Sequence, residues 1–332
     1  MNEITNETRM WPELSIVVPC LNEEKCIGSF LNAIDEQREK LPSLEVLFVD
    51  DGSTDQTVEV IKKESRHRSY HVRLVKLSRN FGHQLALLAG MKEARGMACV
   101  TMDVDLQDPP SVVVEMVKKW REGHAVVIGW RNDRSTDTWF KRVTASVFYR
   151  VIAALTNGAF PAHVGDFRLV DRKVLDIMAQ TKEVGPYWRG LAVWVGFPRA
   201  VVSYRRESRH AGVTKFSFRK MLGFAFNAVF SFSRKPLQFA SYIGIAVSFL
   251  CIATILFHLG MSLFHKNFVP GWLSTISLLG LVGGIQLICI GILGEYVGRI
   301  YELSLGRPNV IIQESSAVSE AAETKTRTAQ IG

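Results

Sequence analysis

The chain has 332 residues, of which 47% are hydrophobic and 22% charged, and its mean hydropathy is +0.10. That length admits one large domain or two ordinary ones, and near-average Gly and Pro usage excludes collagen-like and low-complexity chains. Forty Lys and Arg against 32 Asp and Glu leave a net charge of +8, which suits a nucleic acid, an anionic membrane surface or a phosphorylated substrate. Five cysteines, widely spaced and without a CxxC pair, indicate neither a disulfide framework nor a zinc site; they read as thiols in a reducing compartment.

No basic stretch followed by an apolar one opens the chain, so no signal peptide is expected, and residues 1–13 read as an N-terminal extension. From Leu14 onward, short β-branched runs alternate with helical stretches. LSIVVP, EVLFVD, VRLVKL, ACVTMD and AVVIGW are the expected strands, and Thr54 to Ser65, Gly82 to Ala94 and Ser111 to Glu122 the helices between them. Ser53 or Thr54 is expected to cap the first helix and Ser111 the third. The alternation predicts an α/β domain over 14–213, with a mostly parallel, Rossmann-like sheet covered by helices. Ligands of such sheets sit beyond the carboxyl ends of the strands. There Asp50 and Asp51 close the second run, and Asp103 and Asp105 close the fourth. Four acids without adjacent basic partners repel one another unless a cation or ligand compensates them. No GxxxxGK[ST] and no GxGxxG after a strand occurs, which argues against a kinase, an ATPase or a nicotinamide enzyme. Carboxylates holding Mg²⁺ or Mn²⁺ against a diphosphate are the alternative, since hard cations take oxygen ligands and leave positions open for substrate oxygens.

Further along, Trp139 to Leu155 carries an apolar stripe at every fourth residue, suited either to packing on the sheet or to a membrane interface. Between Arg199 and Lys220 lie seven Lys and Arg and one acid. Residues 214–235, with six Phe flanked by basic residues, read as an amphipathic helix lying in a membrane interface. Two stretches without a charged residue, within 236–265 and 272–295, are long enough to span a bilayer, which takes about 20 apolar residues. Basic residues at their outer ends place both termini in the cytoplasm. Residues 309–332 read as a disordered cytoplasmic tail. Because the basic residues cluster beside the spans and no strand aromatics interleave with them, a membrane is favoured over nucleic acid.

Several motifs occur in order: VVPCLNEE, VDDGSTD, SRNFGHQLALLAG, DVDLQDPP, GDFRL, YWRGLAVWVGF, SFSRKPL and GILGEYVGRIY. Together they resemble the family 2 glycosyltransferases that charge a polyprenyl phosphate, the group of dolichol-phosphate mannose synthase and bactoprenol glucosyltransferase. The resemblance covers roughly Leu14 to Pro308. It implies a GT-A fold, a divalent metal and inverting transfer from a nucleotide-sugar donor to a lipid phosphate. It also implies a multi-pass protein of the inner (cytoplasmic) membrane serving cell-surface glycan modification. The nucleotide would be held by Pro19, Glu23, Asp50, Asp51 and Asp103, and the metal by Asp103, Asp105 and Gln107. Asp166 and Asp105 would be catalytic, and Trp188 and Arg189 would face the donor sugar. Arg131, Arg206, Arg209 and Lys215 would bind the acceptor phosphate, an Arg role by planar geometry and fixed charge. Asp55 reads equally as a helix cap, Arg168 as a structural partner of Asp166, and Trp194 as core. Departures from the family pattern at Cys20, Val213 and Leu303 to Leu305 touch none of these ligands.

The expected reaction is transfer of a hexose, glucose from UDP-glucose, to undecaprenyl phosphate. GDP-mannose, UDP-galactose and UDP-N-acetylhexosamine are alternative donors, and a non-catalytic lipid- or nucleotide-binding membrane protein is the alternative class. Absence of a QxxRW motif disfavours a processive polysaccharide synthase. Whether the chain forms a homo-oligomer is left open by the sequence.

Overall fold

The computed structural model describes residues 12–131, 164–180, 188–205, 235–264 and 272–318. In chain order the first elements are β1 (Leu14–Cys20), α1 (Ile27–Glu36), β2 (Leu44–Asp50), α2 (Thr57–Glu64), β3 (His71–Leu77), α3 (His83–Glu93), β4 (Ala98–Thr101), α4 (Pro110–Arg121) and β5 (Val126–Arg131). After them come β6 (Val164–Asp171), α5 (Arg172–Ala179), α6 (Trp188–Trp194), β7 (Arg199–Tyr204), α7 (Lys235–Phe264), α8 (Trp272–Ser304) and β8 (Ile312–Ala317).

Among the described residues, eight strands join one sheet in the order β7-β5-β6-β4-β1-β2-β3-β8. The pairs β1/β2, β1/β4, β2/β3 and β5/β7 are parallel; only β6 and β8 run against the rest. This is the α/β sheet expected from the alternating pattern. Successive strand residues point to opposite faces, and both faces are covered. Ile16, Val18, Val46 and Phe48 meet Phe30, Ile61 and Met116 on the α1, α2 and α4 side. Val17, Leu47, Val49 and Val75 meet Leu87, Leu88, Val174 and Trp188 on the α3, α5 and α6 side. Burial on both faces explains why β1 and β2 read as continuous apolar runs instead of alternating ones. On the second face α3 lies close to the sheet at Gly90, where an added Cβ would come within 2.3 Å of Val17 and 2.8 Å of Val49.

Several local expectations are corrected. Helix α2 begins at Thr57, and neither Ser53 nor Thr54 caps it; the Asp55 carboxylate accepts from the Thr57 backbone N–H at 3.0 Å and supports the first turn. Ser111 does not cap α4, whose N-terminal position is Pro109 with Pro110 in the first turn, where a missing N–H costs nothing. The second apolar helix continues past 295 to Ser304, its last turns carrying an i,i+4 ion pair between Glu295 and Arg299 at 3.0 Å. The tail expected to be disordered from 309 contains β8, paired antiparallel with β3 at the sheet edge.

Helices α7 and α8 contain stretches of mean hydropathy 1.7 (Lys235–Thr254) and 1.9 (Leu278–Ser304). They contact each other, Cys289 Sγ lying 3.6 Å from the Ala240 carbonyl, and among their described side chains many apolar ones face outward, Phe249 and Leu287 each 70% exposed. Residues 139–155 and the interface helix expected at 214–235 lie, except for Lys235, outside the described residues.

Candidate active site

The turns after β1, β2 and β4 open on one end of the sheet. Asn22 and Glu24, after β1, tie to the turn after β2. Asn22 N–H donates to Ser53 Oγ at 2.9 Å, Thr54 N–H to Asn22 Oδ1 at 2.8 Å, and Gln56 N–H to Glu24 Oε2 at 3.1 Å. Asn22 adopts φ 55, a left-handed conformation that Asn tolerates. Glu23 stays part-exposed beside this zipper, its own N–H donating to Thr57 Oγ1 at 2.9 Å. Glu23 also bears on Cys26: burial and the Glu23 carboxylate push that thiol up to about 11, so it stays protonated and inert. Pro19 is buried in β1, beyond the last residue of β1 that pairs with β4.

The two acids after β2 divide their roles. Asp50 is fully buried; its Oδ1 accepts from Ser53 N–H at 3.1 Å, and its Oδ2 is buried with no partner. A buried carboxylate oxygen without a donor is costly, and a nucleoside N–H or hydroxyl is one group able to satisfy it. Asp51, expected at the nucleotide, instead receives the backbone N–H groups of Phe81 and Gly82 at 2.7 and 2.9 Å. Burial pushes its carboxyl above the usual range, against the pull of those amides. Next to it Gly52 has φ 79 and lies against the following loop, where an added Cβ would stand 2.7 Å from Asn80 N. Asp51 and Gly52 together therefore hold the loop that leads into α3.

After β4 the chain turns sharply at Leu106, which is buried at φ 57 between Asp105 and Gln107. A non-glycine residue in this region is held against a steric cost and is characteristic of functional turns. Asp105 Oδ1 accepts from Gln107 N–H at 3.1 Å, and Gln107 Oε1 is buried without a partner. Its low-dielectric surroundings, together with the carboxylates of Asp108, Asp166 and Asp105, push Asp103 above the usual carboxylate range, while His83 pulls the other way. Crowded carboxylates plus an orphaned amide oxygen form an oxygen-rich set that fits a hard divalent cation. Among the described residues no three His, Cys, Asp or Glu side chains form a ready metal cluster. Two carboxylates and an amide would leave coordination positions for diphosphate oxygens.

Asp166 reaches this place because β6 runs antiparallel to β4. Thr101 pairs with Arg168, so the start of β6 overhangs the carboxyl end of β4. Thr101 Oγ1 donates to the Asp166 carbonyl. The Asp166 carboxylate, 12% exposed, accepts from Gln84 Nε2 at 3.0 Å and lies 3.4 Å from His83 Nε2, which is also 3.8 Å from Asp103. His83 and Gln84 open α3 and were not singled out from the sequence; a polar pair directly after Gly82 at a helix start was the available signal. Arg168 is buried and donates to the carbonyls of Gly165 at 2.8 Å and Trp188 at 3.4 Å.

Three expectations change in this part of the site. Arg131 is held by Asp108 at 3.5 Å and donates to the Tyr204 hydroxyl at 3.1 Å, while Tyr204 donates to Asp108. Burial opposes the Arg131 charge, but Asp108 and Tyr204 outweigh it and raise its pKa further. Arg131 thus braces β5 and β7 against the turn after β4, with 26% of its side chain left open. Asp108 and Tyr204 were missed by sequence reasoning. Trp188 is 1% exposed and its indole N–H donates to the Gln84 carbonyl at 2.9 Å, so it packs beneath the site and supports Gln84 instead of facing a sugar. Trp194, expected in the core, is 69% exposed. Arg189 belongs to α6; its side chain, and all of Arg206, Arg209 and Lys215, lie outside the described residues.

The family model "Glycosyl transferase family 2" matches residues 15–178, and "GtrB C-terminal hairpin" matches residues 235–300. An uncharacterized glycosyltransferase, YkcC of Bacillus subtilis, is 43% identical over 92% of this chain and 95% of its own. The SfII prophage-derived bactoprenol glucosyl transferase of Shigella flexneri is 38% identical over 91% of this chain and 98% of its own. A solved structure of glucosyl-3-phosphoglycerate synthase from Mycobacterium tuberculosis, with Mn²⁺, uridine diphosphate and phosphoglyceric acid, has a TM-score of 0.47 at 19% identity, over 66% of this chain and 76% of that one. With a catalytic-domain match, a hairpin match and relatives similar along nearly their whole length, the chain belongs to glycosyl transferase family 2 and is a glycosyltransferase.

Proposed function

We propose that this glycosyltransferase moves glucose from UDP-glucose to undecaprenyl phosphate, with inversion at the anomeric carbon, at the cytoplasmic face of the inner membrane. The observation that carries it is one chain joining a crowded carboxylate site at the ends of β2, β4 and β6 to two outward-apolar helices. Relatives named bactoprenol glucosyl transferase, at 38% and 39% identity over 91% of the chain, support the acceptor class and the sugar.

A phosphate oxygen of the lipid attacks the anomeric carbon, the bond from that carbon to the diphosphate breaks, and the nucleoside diphosphate leaves. The acceptor has a second pKa of about 6, so near neutral pH it is already largely the nucleophile and needs little proton removal. Asp166 then orients the acceptor and stabilises positive charge growing on the sugar, its own carboxylate held by Gln84 and faced by His83. Asp50, with one oxygen free, receives donors of the nucleoside. Asp103, Asp105 and Gln107 are the residues that would hold Mg²⁺ or Mn²⁺, and the ion supplies charge stabilisation to the leaving diphosphate. Arg206, Arg209 and Lys215, just before the apolar hairpin, are proposed to receive the acceptor phosphate.

The test is a donor panel. Membranes containing the protein are incubated with labelled UDP-glucose, UDP-galactose, UDP-N-acetylhexosamine or GDP-mannose, undecaprenyl phosphate and Mg²⁺ or Mn²⁺. Label passing into the lipid fraction with UDP-glucose is expected. Transfer from another donor instead corrects the sugar, and no lipid label from any donor refutes the reaction.

A further inference from the structure

The segment that follows α8 returns to the catalytic sheet. Gly306 turns the chain at φ 62, and β8 then pairs with β3 from Leu77↔Ile312 to Arg73↔Ala317. Its two ends are anchored on opposite faces of the sheet, Val310 against the cluster containing Leu77 and Leu87 and Val318 against the one containing Val72 and Leu74. Two polar contacts add to this, Lys62 to Glu314 at 3.7 Å and Ser315 Oγ to Glu93 at 3.4 Å.

The attachment reaches further than the strand. Ser78 N–H donates to the Ile311 carbonyl at 3.0 Å, so the first residue of the loop after β3 is held by the returning segment. The other end of that loop, Phe81 and Gly82, is held by Asp51, and its middle lies on Gly52. Phe81 and Leu85 pack in the same cluster as Val310. The next two residues are His83 and Gln84, which meet Asp166. Covering an edge strand is a common way to prevent unwanted pairing, and that role alone would need no hold on Ser78 and no packing beside Phe81.

We propose that residues 310–318 are a positioning strap. They fix the loop 78–82, and through it the placement of His83 and Gln84 against Asp166, so that glycosyl transfer depends on the chain having returned from the apolar hairpin to the sheet. The assignment to transfer rests on the reaction proposed above. The strap itself is read in a way that does not need that reaction.

Full-length protein is compared with Val310→Asp, Ser316→Pro and a deletion of 310–332, and with a deletion of 319–332 as the control expected to retain activity. Ser316 stands opposite Leu74, two residues from Val318, whose N–H donates to the Val72 carbonyl; in the alternating antiparallel ladder the Ser316 N–H therefore faces β3, and proline there removes it from the pairing. Amide hydrogen exchange at Phe81 and Gly82 should rise in the strap variants, while kcat falls about tenfold or more and the donor KM stays within about twofold, as expected for misplaced groups acting in the transition state. A disulfide between Lys76→Cys and Glu314→Cys, which occupy paired positions, should restore both readouts in the Val310→Asp protein and be undone by reductant. Unchanged exchange and kcat in the strap variants overturn the proposal, as does activity that falls only in step with Tm. If the unmodified protein makes no lipid-linked sugar, the transfer reading fails, while exchange at Phe81 and Gly82 still decides whether the strap holds the loop.

Discussion

At the level of single residues, the site separates groups that face an open cleft from groups that hold them there. Asp103 and Asp105 are part-exposed, whereas Asp51, Asp108, Arg168 and Trp188 are buried and engaged. Asp105→Asn should therefore leave folding intact and lower sugar transfer about a hundredfold or more, the scale seen when one electrostatic partner of a transition state is lost. Chelation of divalent ions should abolish transfer in the unmodified protein, with recovery on adding Mn²⁺ or Mg²⁺, followed in the lipid-label assay. Trp188 belongs to the opposite class. Trp188→Ala should cost about 3–5 kcal/mol in denaturant unfolding, because a large buried ring is removed. Trp188→Phe should keep most of that stability and still lower kcat, since the bond to the Gln84 carbonyl is gone. A donor-sugar contact would instead show itself as a raised donor KM.

Among the elements, the sheet has two poles of different chemistry. At the amino ends of β1, β2 and β3, away from the cleft, Glu45 is buried and fully used. It accepts from Ser15 Oγ and Arg95 N–H, each at 2.6 Å, and pairs with Arg73 at 3.4 Å. Arg73 also donates to the Glu93 carbonyl at 2.7 Å, tying the end of α3 to the sheet. Arg73→Ala would strand the Glu45 charge and should cost about 3–5 kcal/mol of stability, measured by denaturant titration, with little change in donor KM. The carboxyl pole carries unpartnered oxygens at Asp50 and Gln107. Glu45 fully engaged at one end, and Asp50 and Gln107 each keeping an orphaned oxygen at the other, suit a rigid scaffold that carries a ligand site.

For the whole molecule, the apolar hairpin is the feature that a water-soluble fold does not explain. Leu279, Leu287 and Ile288 are each more than 60% exposed, on a helix with a stretch of mean hydropathy 1.9. At 1.5 Å per residue the 33 residues of α8 exceed the roughly 30 Å apolar thickness of a bilayer. The polar last turns with Glu295, Arg299 and Glu302 account for the excess. Leu287→Arg places a charge near the middle of the apolar stretch and should disfavour insertion by about 2.5–3.5 kcal/mol. The fraction of protein retained in membranes after alkaline washing should fall, while variants at Glu302 should leave it unchanged.

Much of this was legible in the sequence because it is encoded locally. The period of the apolar runs specified strands and helices, the acids at Asp50, Asp103 and Asp105 stood at strand ends, and two uncharged stretches marked the hairpin. Strand β8 was missed because IQESSA has no apolar alternation; an edge strand needs little, and its stability comes from β3 and from Val310 and Val318 at its ends. Asp51 and Asp50 look equivalent in sequence, yet backbone amides 30 residues away occupy one and leave an oxygen of the other free. Arg131, expected at the acceptor phosphate, is engaged by Asp108 from the turn after β4 and by Tyr204 from β7, partners that its sequence neighbourhood does not reveal. Residue types and their spacing thus determined by themselves the fold class, the strand-end acids and the apolar hairpin. The meeting of Asp166 with His83, Gln84 and Asp103 was decided only by the tertiary structure, because it depends on β6 pairing antiparallel with a strand some 65 residues earlier, a non-local choice that no local pattern records.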